Sequence, residues 1–162
     1  MGRRILVSMV ALAILPALLL AACSSGPVRR ISEPAASIQQ LTVQADGSWS
    51  LNLRLQNYSS VPMRFDAVDL QVTVGGQAAG TLRHRPGLEI GPESADVVAV
   101  TMTPDSSARM LLADALAAGR GVDYEFEGSI EAAPADKGGA RTYRVKRKSA
   151  LSPTPGLPGV LR

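Results

Sequence analysis

The sequence predicts an all-β sandwich of about seven short strands, with one short α-helix before the last two. Three observations predict it. Apolar and polar residues alternate with period two in several separate stretches, the mark of half-buried strands. Asp46-Gly47 and Gly75-Gly76 punctuate these stretches with hairpin chemistry. Within the part that folds, only the segment from Ala108 to Leu116 repeats its apolar residues at helical spacing. Short alternating strands with regular turn signals build sandwiches.

The first stretch stands apart from this pattern. Arg3 and Arg4 precede an apolar run from Ile5 to Leu20 that is interrupted only by Ser8 and Pro16. That is the plan of a secretory signal. It ends in Leu20-Ala21-Ala22-Cys23, which resembles the bacterial lipobox, and Cys23 is the only cysteine in the chain. An uncleaved membrane helix is the competing reading, but a span needs about 20 apolar residues and this run is marginal and contains Pro16. The expectation is cleavage before Cys23 and lipid on its thiol, which makes the membrane the first partner. Two or more acyl chains hold a protein stably where one does not. Ser24 is not the Asp associated with inner-membrane retention, so in a cell with two membranes the outer one, facing the periplasm, is expected.

This reading divides the chain into a signal (1–22), a flexible tether (23–35), a β-sandwich domain (36–148) and a disordered Pro-rich tail (149–162). A lone cysteine leaves no intrachain disulfide. Loss of Arg3 and Arg4 reduces the 17 basic residues to 15 against 14 acidic ones, a net charge of +1. A near-neutral domain with one Trp, three Tyr and two Phe is a poor nucleic-acid binder, since that role needs a basic face and stacking aromatics.

In order, Ile38 to Gln44 reads as a first strand and Asp46-Gly47 as its turn. Trp49, Leu51, Leu53 and Leu55 then share one face of a second strand, with Trp49 read as core. Asn57 to Pro62 is a loop by turn chemistry. Met63 and Phe65 resume the alternation on odd positions, whereas Val68, Leu70, Val72 and Val74 continue it on even ones. A phase change needs an inserted residue, so a bulge is expected at Asp66-Ala67. After Gly75-Gly76 the chain returns from Gln77 to Arg85, and Leu88-Glu89-Ile90 is a short edge piece. Ala95 to Thr103 is the next strand, so continuously apolar that cover on both faces is expected, with the following helix as the cover.

Thr103-Pro104 reads as a helix N-cap with Pro at the first helical position, and Asp105 suits the first turn. Ala108, Leu111, Leu112, Ala115 and Leu116 form one face, and Gly119 closes the helix. Val122, Tyr124, Phe126 and Ile130 then face inward on the next strand, opposite Asp123, Glu125, Glu127 and Glu131. On the last strand, Thr142 to Lys148, Tyr143 and Val145 point in and Arg144, Lys146 and Lys148 point out. A turn centred near Asp136-Lys137 sets Glu127 against Lys146 and Glu125 against Lys148. The basic stripe is therefore read as a solvated charge ladder that also guards an edge, in preference to an anionic-lipid site.

Residues that carry chemistry are sparse. His84 is the only histidine of the chain, so no His pair exists for zinc, and no metal or cofactor is expected. Asp66 and Asp69 are three apart on a strand and fall on opposite faces unless the bulge intervenes. An enzyme is not expected. Loops on a rigid scaffold carry recognition, so Tyr58 in the Asn57–Pro62 loop and His84-Arg85 near the next turn are the candidate partner-binding residues.

The run Leu51-Asn52-Leu53-Arg54-Leu55-Gln56-Asn57-Tyr58-Ser59, a Gly-Gly hairpin, a short amphipathic helix and then Val122-Asp123-Tyr124-Glu125-Phe126-Glu127-Gly128 resemble the second-subgroup late embryogenesis abundant domain, also called the water-stress and hypersensitive-response domain. Where that family has Asn-Pro-Asn after its second strand, this chain has Asn57-Tyr58-Ser59. The resemblance implies an immunoglobulin-like sandwich akin to fibronectin type III. It also implies a non-enzymatic part in stress or desiccation tolerance, acting on general clients. Two further functions stand beside it. One is a docking subunit of an envelope complex that holds a protein partner through loops or a sheet edge. The other is a ligand carrier, which would need a large apolar cavity.

Overall fold

The computed structural model describes residues 28–162. Among them the alternating stretches form nine strands in two antiparallel sheets, with one helix, as an all-β sandwich requires. β1 (Ala35–Val43) and β2 (Trp49–Gln56) make the first hairpin. Its Asp46-Gly47 turn is fastened by Asp46 Oδ1, which accepts from the Ser48 amide at 2.9 Å and the Ser48 hydroxyl at 2.7 Å. Those bonds hold the Asp46 carboxyl below its ordinary range, the hydroxyl contributing most. β3 (Met63–Val74) and β4 (Gln77–His84) follow, then β5 (Leu88–Ile90), β6 (Ala95–Met102), α1 (Ser106–Ala117), β7 (Val122–Pro134), β8 (Arg141–Leu151) and β9 (Val160–Leu161).

The first sheet runs β6-β2-β1-β9 and the second β4-β3-β7-β8. β5 extends the β4 flank of β3 by pairing with Met63–Phe65. The core fills the space between the sheets. Trp49, Leu51, Leu53 and Leu55 enter it from β2, Val68, Leu70, Val72 and Val74 from β3, and Tyr124, Phe126 and Ile130 from β7.

The bulge falls where the phase change demands it. The pairing of β3 with β7 slips between Phe65 and Ala67. The extra residue lets odd positions before it and even positions after it face the same core. The β7–β8 register is also as predicted, with Glu127 opposite Lys146 and Glu125 opposite Lys148. Their ion pairs close at 3.6 and 3.0 Å on exposed side chains.

Several expectations are corrected. Residues 149–162 are not a disordered tail. β8 continues to Leu151, Pro153 bridges to Leu161, and β9 pairs with β1. Leu151 and Leu161 are both buried, and two apolar side chains entering the core are enough to order a short Pro-rich segment. The end of the tether is not slack either. Pro34 is buried, β1 starts at Ala35, and Arg30 and Ser60 exchange backbone and hydroxyl hydrogen bonds. The folded unit therefore reaches beyond 36–148 on both sides.

β6 is not covered on both faces. It is an edge strand, with Val97 38% exposed and Ala99 exposed. The helix instead packs beside β4 and β3. Its N-cap is Asp105, two residues later than expected, and Pro104 lies buried before it. The Asp105 amide is committed to the Ala79 carbonyl at 3.1 Å, which holds the chain extended through that residue. The helix end is as expected. Gly119, at φ +63°, donates to Leu116 and Arg120 donates to Ala115, which closes a Schellman turn.

Candidate functional site

Leu20, Ala21, Ala22 and Cys23 lie outside the described residues. Among the described residues no helix is long and apolar enough to cross a membrane.

Tyr58 stands at the end of the sandwich in the β2–β3 loop, 49% exposed, with its carbonyl accepting from Arg30 Nη2 at 3.1 Å. His84 is the last residue of β4, opposite Val68 and half-buried, and Arg85 follows it, exposed. Among the described residues no hydrogen bond or ion pair joins Tyr58 to His84 or Arg85. Asp66 and Asp69 do not meet as a carboxylate pair, because Arg64 takes Asp66 at 2.7 Å and Arg83 takes Asp69 at 2.9 Å. Bonding to Asp66 raises the Arg64 pKa.

The residue that organises this end of the molecule is Asn57, which is 1% exposed. Its carboxamide Nδ2 donates toward the carbonyls of Val61 (2.9 Å), Ile90 (3.1 Å) and Gly91 (2.8 Å). Its Oδ1 accepts from the Ser59 amide at 2.8 Å, and its own amide donates to Ser94 at 2.8 Å. Carbonyls can only accept, so the nitrogen has to face them. One side chain thus ties the β2–β3 loop to the β5–β6 connection.

Ser59, also buried, carries the clasp to the tether. Its hydroxyl accepts from the Ser32 amide at 3.0 Å, and its carbonyl accepts from the Glu93 amide at 3.0 Å. Glu93 holds φ +49°, unusual for a residue with a side chain. Arg30 reaches the Glu93 carboxylate at 2.8 Å. Arg29 fastens the same segment to the β7–β8 turn, bonding Asp136 Oδ2 at 2.6 Å and also the Lys137 carbonyl. The Arg29 bond, followed by the Lys137 amide, holds the Asp136 carboxyl below its ordinary range.

Among the described residues this cluster pairs no nucleophile with a base. Among the described residues no three His, Cys, Asp or Glu side chains stand close enough to share a metal ion. Its chemistry is that of a clasp, in which neutral donors and acceptors fix the segment by which the domain is held. Asn57 was legible only through its place after the second strand. Its burial was not, since an Asn in a polar loop carries no periodic signal. Elsewhere, a surface cleft of about 490 Å³ lies between α1 and the β3–β4 turn, lined by Leu111, Arg120, Asp123 and Lys148 among others.

The family model described as "Late embryogenesis abundant protein" matches residues 52–149, more than half of the chain, from within β2 to within β8. No curated protein matches in sequence. Among solved structures, a protein from Archaeoglobus fulgidus is similar at 12% identity and TM-score 0.42, over 77% of this chain and 98% of that one. A solution structure from Arabidopsis thaliana is similar at 13% identity and TM-score 0.48, over 78% of this chain and 81% of that one.

Proposed function

This chain belongs to the late embryogenesis abundant protein family, and from that premise we propose that it is an envelope lipoprotein whose non-catalytic sandwich works in stress or desiccation tolerance. The family match on a clasped sandwich is the observation that carries the reading. The anchor rests on Leu20-Ala21-Ala22-Cys23, with lipid on the single thiol holding the domain to the membrane, the outer one where there are two. The clasp supports this role mechanically, because it secures the domain at the segment that leads back to Cys23. A protective domain acts on many clients through weak, general contacts, so no single surface residue dominates.

The test has two arms. The Cys23→Ala chain is expressed with labelled fatty acid, and loss of label together with an unprocessed or soluble species is expected. The domain is also dried and rewetted with a labile enzyme, and protection beyond an equal mass of albumin is expected. Label on the Cys23→Ala chain defeats the anchor, and protection no better than albumin defeats the stress role.

A second reading is favoured by β6. Its free edge and bare Val97 are the kind of surface that accepts a partner strand. A docking subunit would concentrate its binding energy in a few anchors, with Tyr58 or His84-Arg85 as candidates. Crosslinking in cells separates the two. One stoichiometric partner, lost on Tyr58→Ala, would support docking and count against general protection.

A further inference from the structure

The stripe of cations on β8 divides in two. Lys146 and Lys148 stand opposite Glu127 and Glu125 and are paired with them. Arg141, Arg144 and Arg147 stand opposite Ala132, Ser129 and Phe126, which carry no charge. All three arginines are exposed, and among the described residues none makes an ion pair. The ladder therefore accounts for the lysines and leaves the arginines over.

β8 is also the outermost strand of its sheet, bordered among the described residues by the start of β1. Side chains alternate along a strand, so Arg144 leaves one face and Arg141 and Arg147 the other, and the three exposed guanidiniums flank this edge from both sides. The remaining carboxylates of β7, Asp123 and Glu131, lie inboard by one strand spacing, about 4.8 Å. The tether runs beside this edge. Arg29 is fixed to the turn that opens β8, and Glu33 to Ala36 share a cleft of about 250 Å³ with Arg144 to Arg147. Among the described residues lining that cleft, Glu33 is the one carboxylate, against three cations.

Arg29 is six residue steps from Cys23, which is about 20 Å of fully extended chain. The arginine row from Arg141 to Arg147 has about the same length at the rise of a strand. The extended length of the tether is an upper bound, so a domain held at Cys23 keeps the row within reach of the bilayer, and closer approach brings its near end into the range of about 8–10 Å over which electrostatic attraction acts.

We propose that the arginine edge of β8, formed by Arg141, Arg144 and Arg147, is a docking surface for the phosphate groups of an anionic membrane. The proposal rests on the lipid-anchor reading for its geometry. The planar guanidinium pairs two-pronged with phosphate, which lysine cannot do. The edge lays the sandwich on its β8 side and leaves β6 and the opposite flank facing away from the lipid.

The test uses the chain from residue 23 onward with Cys23→Ser, which keeps every described element and removes the lipid. It is sedimented with vesicles of phosphatidylcholine alone and with vesicles of phosphatidylcholine and phosphatidylglycerol in equal parts. Retention on the anionic vesicles that weakens with salt is expected. In Arg141→Gln/Arg144→Gln/Arg147→Gln it should fall about tenfold or more, from the worth of each cation near an anionic surface. Arg54→Gln/Arg83→Gln/Arg109→Gln removes the same net charge from other elements and should change retention by about twofold at most.

Circular dichroism checks that both variants are folded. Equal retention on both vesicle types, or equal loss in both variants, overturns the proposal. Fatty-acid labelling of Cys23 is read separately. Acylation without anionic selectivity overturns the docking surface and leaves the anchor, whereas selectivity without acylation supports the surface and overturns the anchor.

Discussion

The backbone amide of Ile38 donates across the core to the hydroxyl of Tyr124 at 3.1 Å, both residues being buried. Tyr124 belongs to the second sheet and Ile38 to the first, at the place where β1 slips register against β2. The slip takes a strand amide out of the ladder, and the phenol supplies the acceptor that the ladder no longer does. The Tyr124 ring is steadied edge-on against Phe126, with centroids 5.2 Å apart. Tyr124→Phe keeps the ring and strands the amide, so a loss of about 1–3 kcal/mol is expected. Urea denaturation checks it, and an unchanged midpoint would show that another acceptor serves Ile38.

Asn57 should be intolerant even of its isostere. Asn57→Asp turns a donor into a carboxylate facing the carbonyls of Val61, Ile90 and Gly91. Destabilisation of about 3 kcal/mol or more is expected at pH 7. Part of it should return on acidification, when the protonated carboxyl can again donate. Denaturation midpoints at pH 7 and pH 4 test this, and equal losses at both would refute the donor argument.

Gly128 sits in the middle of β7, where a Cβ would stand 2.1 Å from the Asp69 carbonyl oxygen and 2.9 Å from Leu70 Cα. Both obstacles are backbone of the paired strand, so neither can swing aside. Gly128→Ala is expected to cost at or above the upper end of the ~1–3 kcal/mol typical of overpacking. A thermal melt reports it, and a Tm within a degree or so of the parent would show that β3 and β7 can separate there freely.

How much of this was legible follows from the kind of signal each residue gives. The Asp66-Ala67 bulge is legible because a strand has period two and a phase change shows in the sequence itself. The Glu127–Lys146 pairing could be read because a turn fixes the sum of opposed numbers. Leu161 could not be read, since one apolar pair among prolines and glycines has no period. The helix starts later than its sequence suggests because Thr103-Pro104 is a sound local cap, overruled by the bond from Asp105 to Ala79, 26 residues away in sequence. The bare face of β6 departs from its sequence pattern for a related reason. An apolar run shows what a strand can bury, and the topology decides what it does bury. At the clasp, the tether residues and Asn57 meet only through tertiary contacts that no local pattern announces.

Leu161 is fully buried, so Leu161→Ala is expected to lose about 2–5 kcal/mol, as other buried leucines do. A truly disordered tail would show no change in the urea midpoint.

Asp136 gives a pH signature. Its folded pKa lies below the unfolded value of 3.8 because Arg29 bonds its charged form. The stabilisation is therefore complete above pH 3.8 and is lost as pH falls through the lower, folded value. Asp136→Asn should remove it. The gap between wild-type and variant urea midpoints should be constant from pH 7 to pH 5 and close below pH 3.8. A gap that widens in acid would reverse the sign of the linkage.

The pairing of β9 with Leu41 and Thr42 of β1 has a consequence for biogenesis. A chain still being synthesised has β1 and β2 early, but β1 lacks its second neighbour until residues 160–161 have been made. Cooperative closure of the first sheet therefore waits for residues 160–161. Under the lipoprotein reading proposed above, a precursor threaded unfolded through an export channel gains time from that order, because its own topology delays the knot of contacts that would jam it.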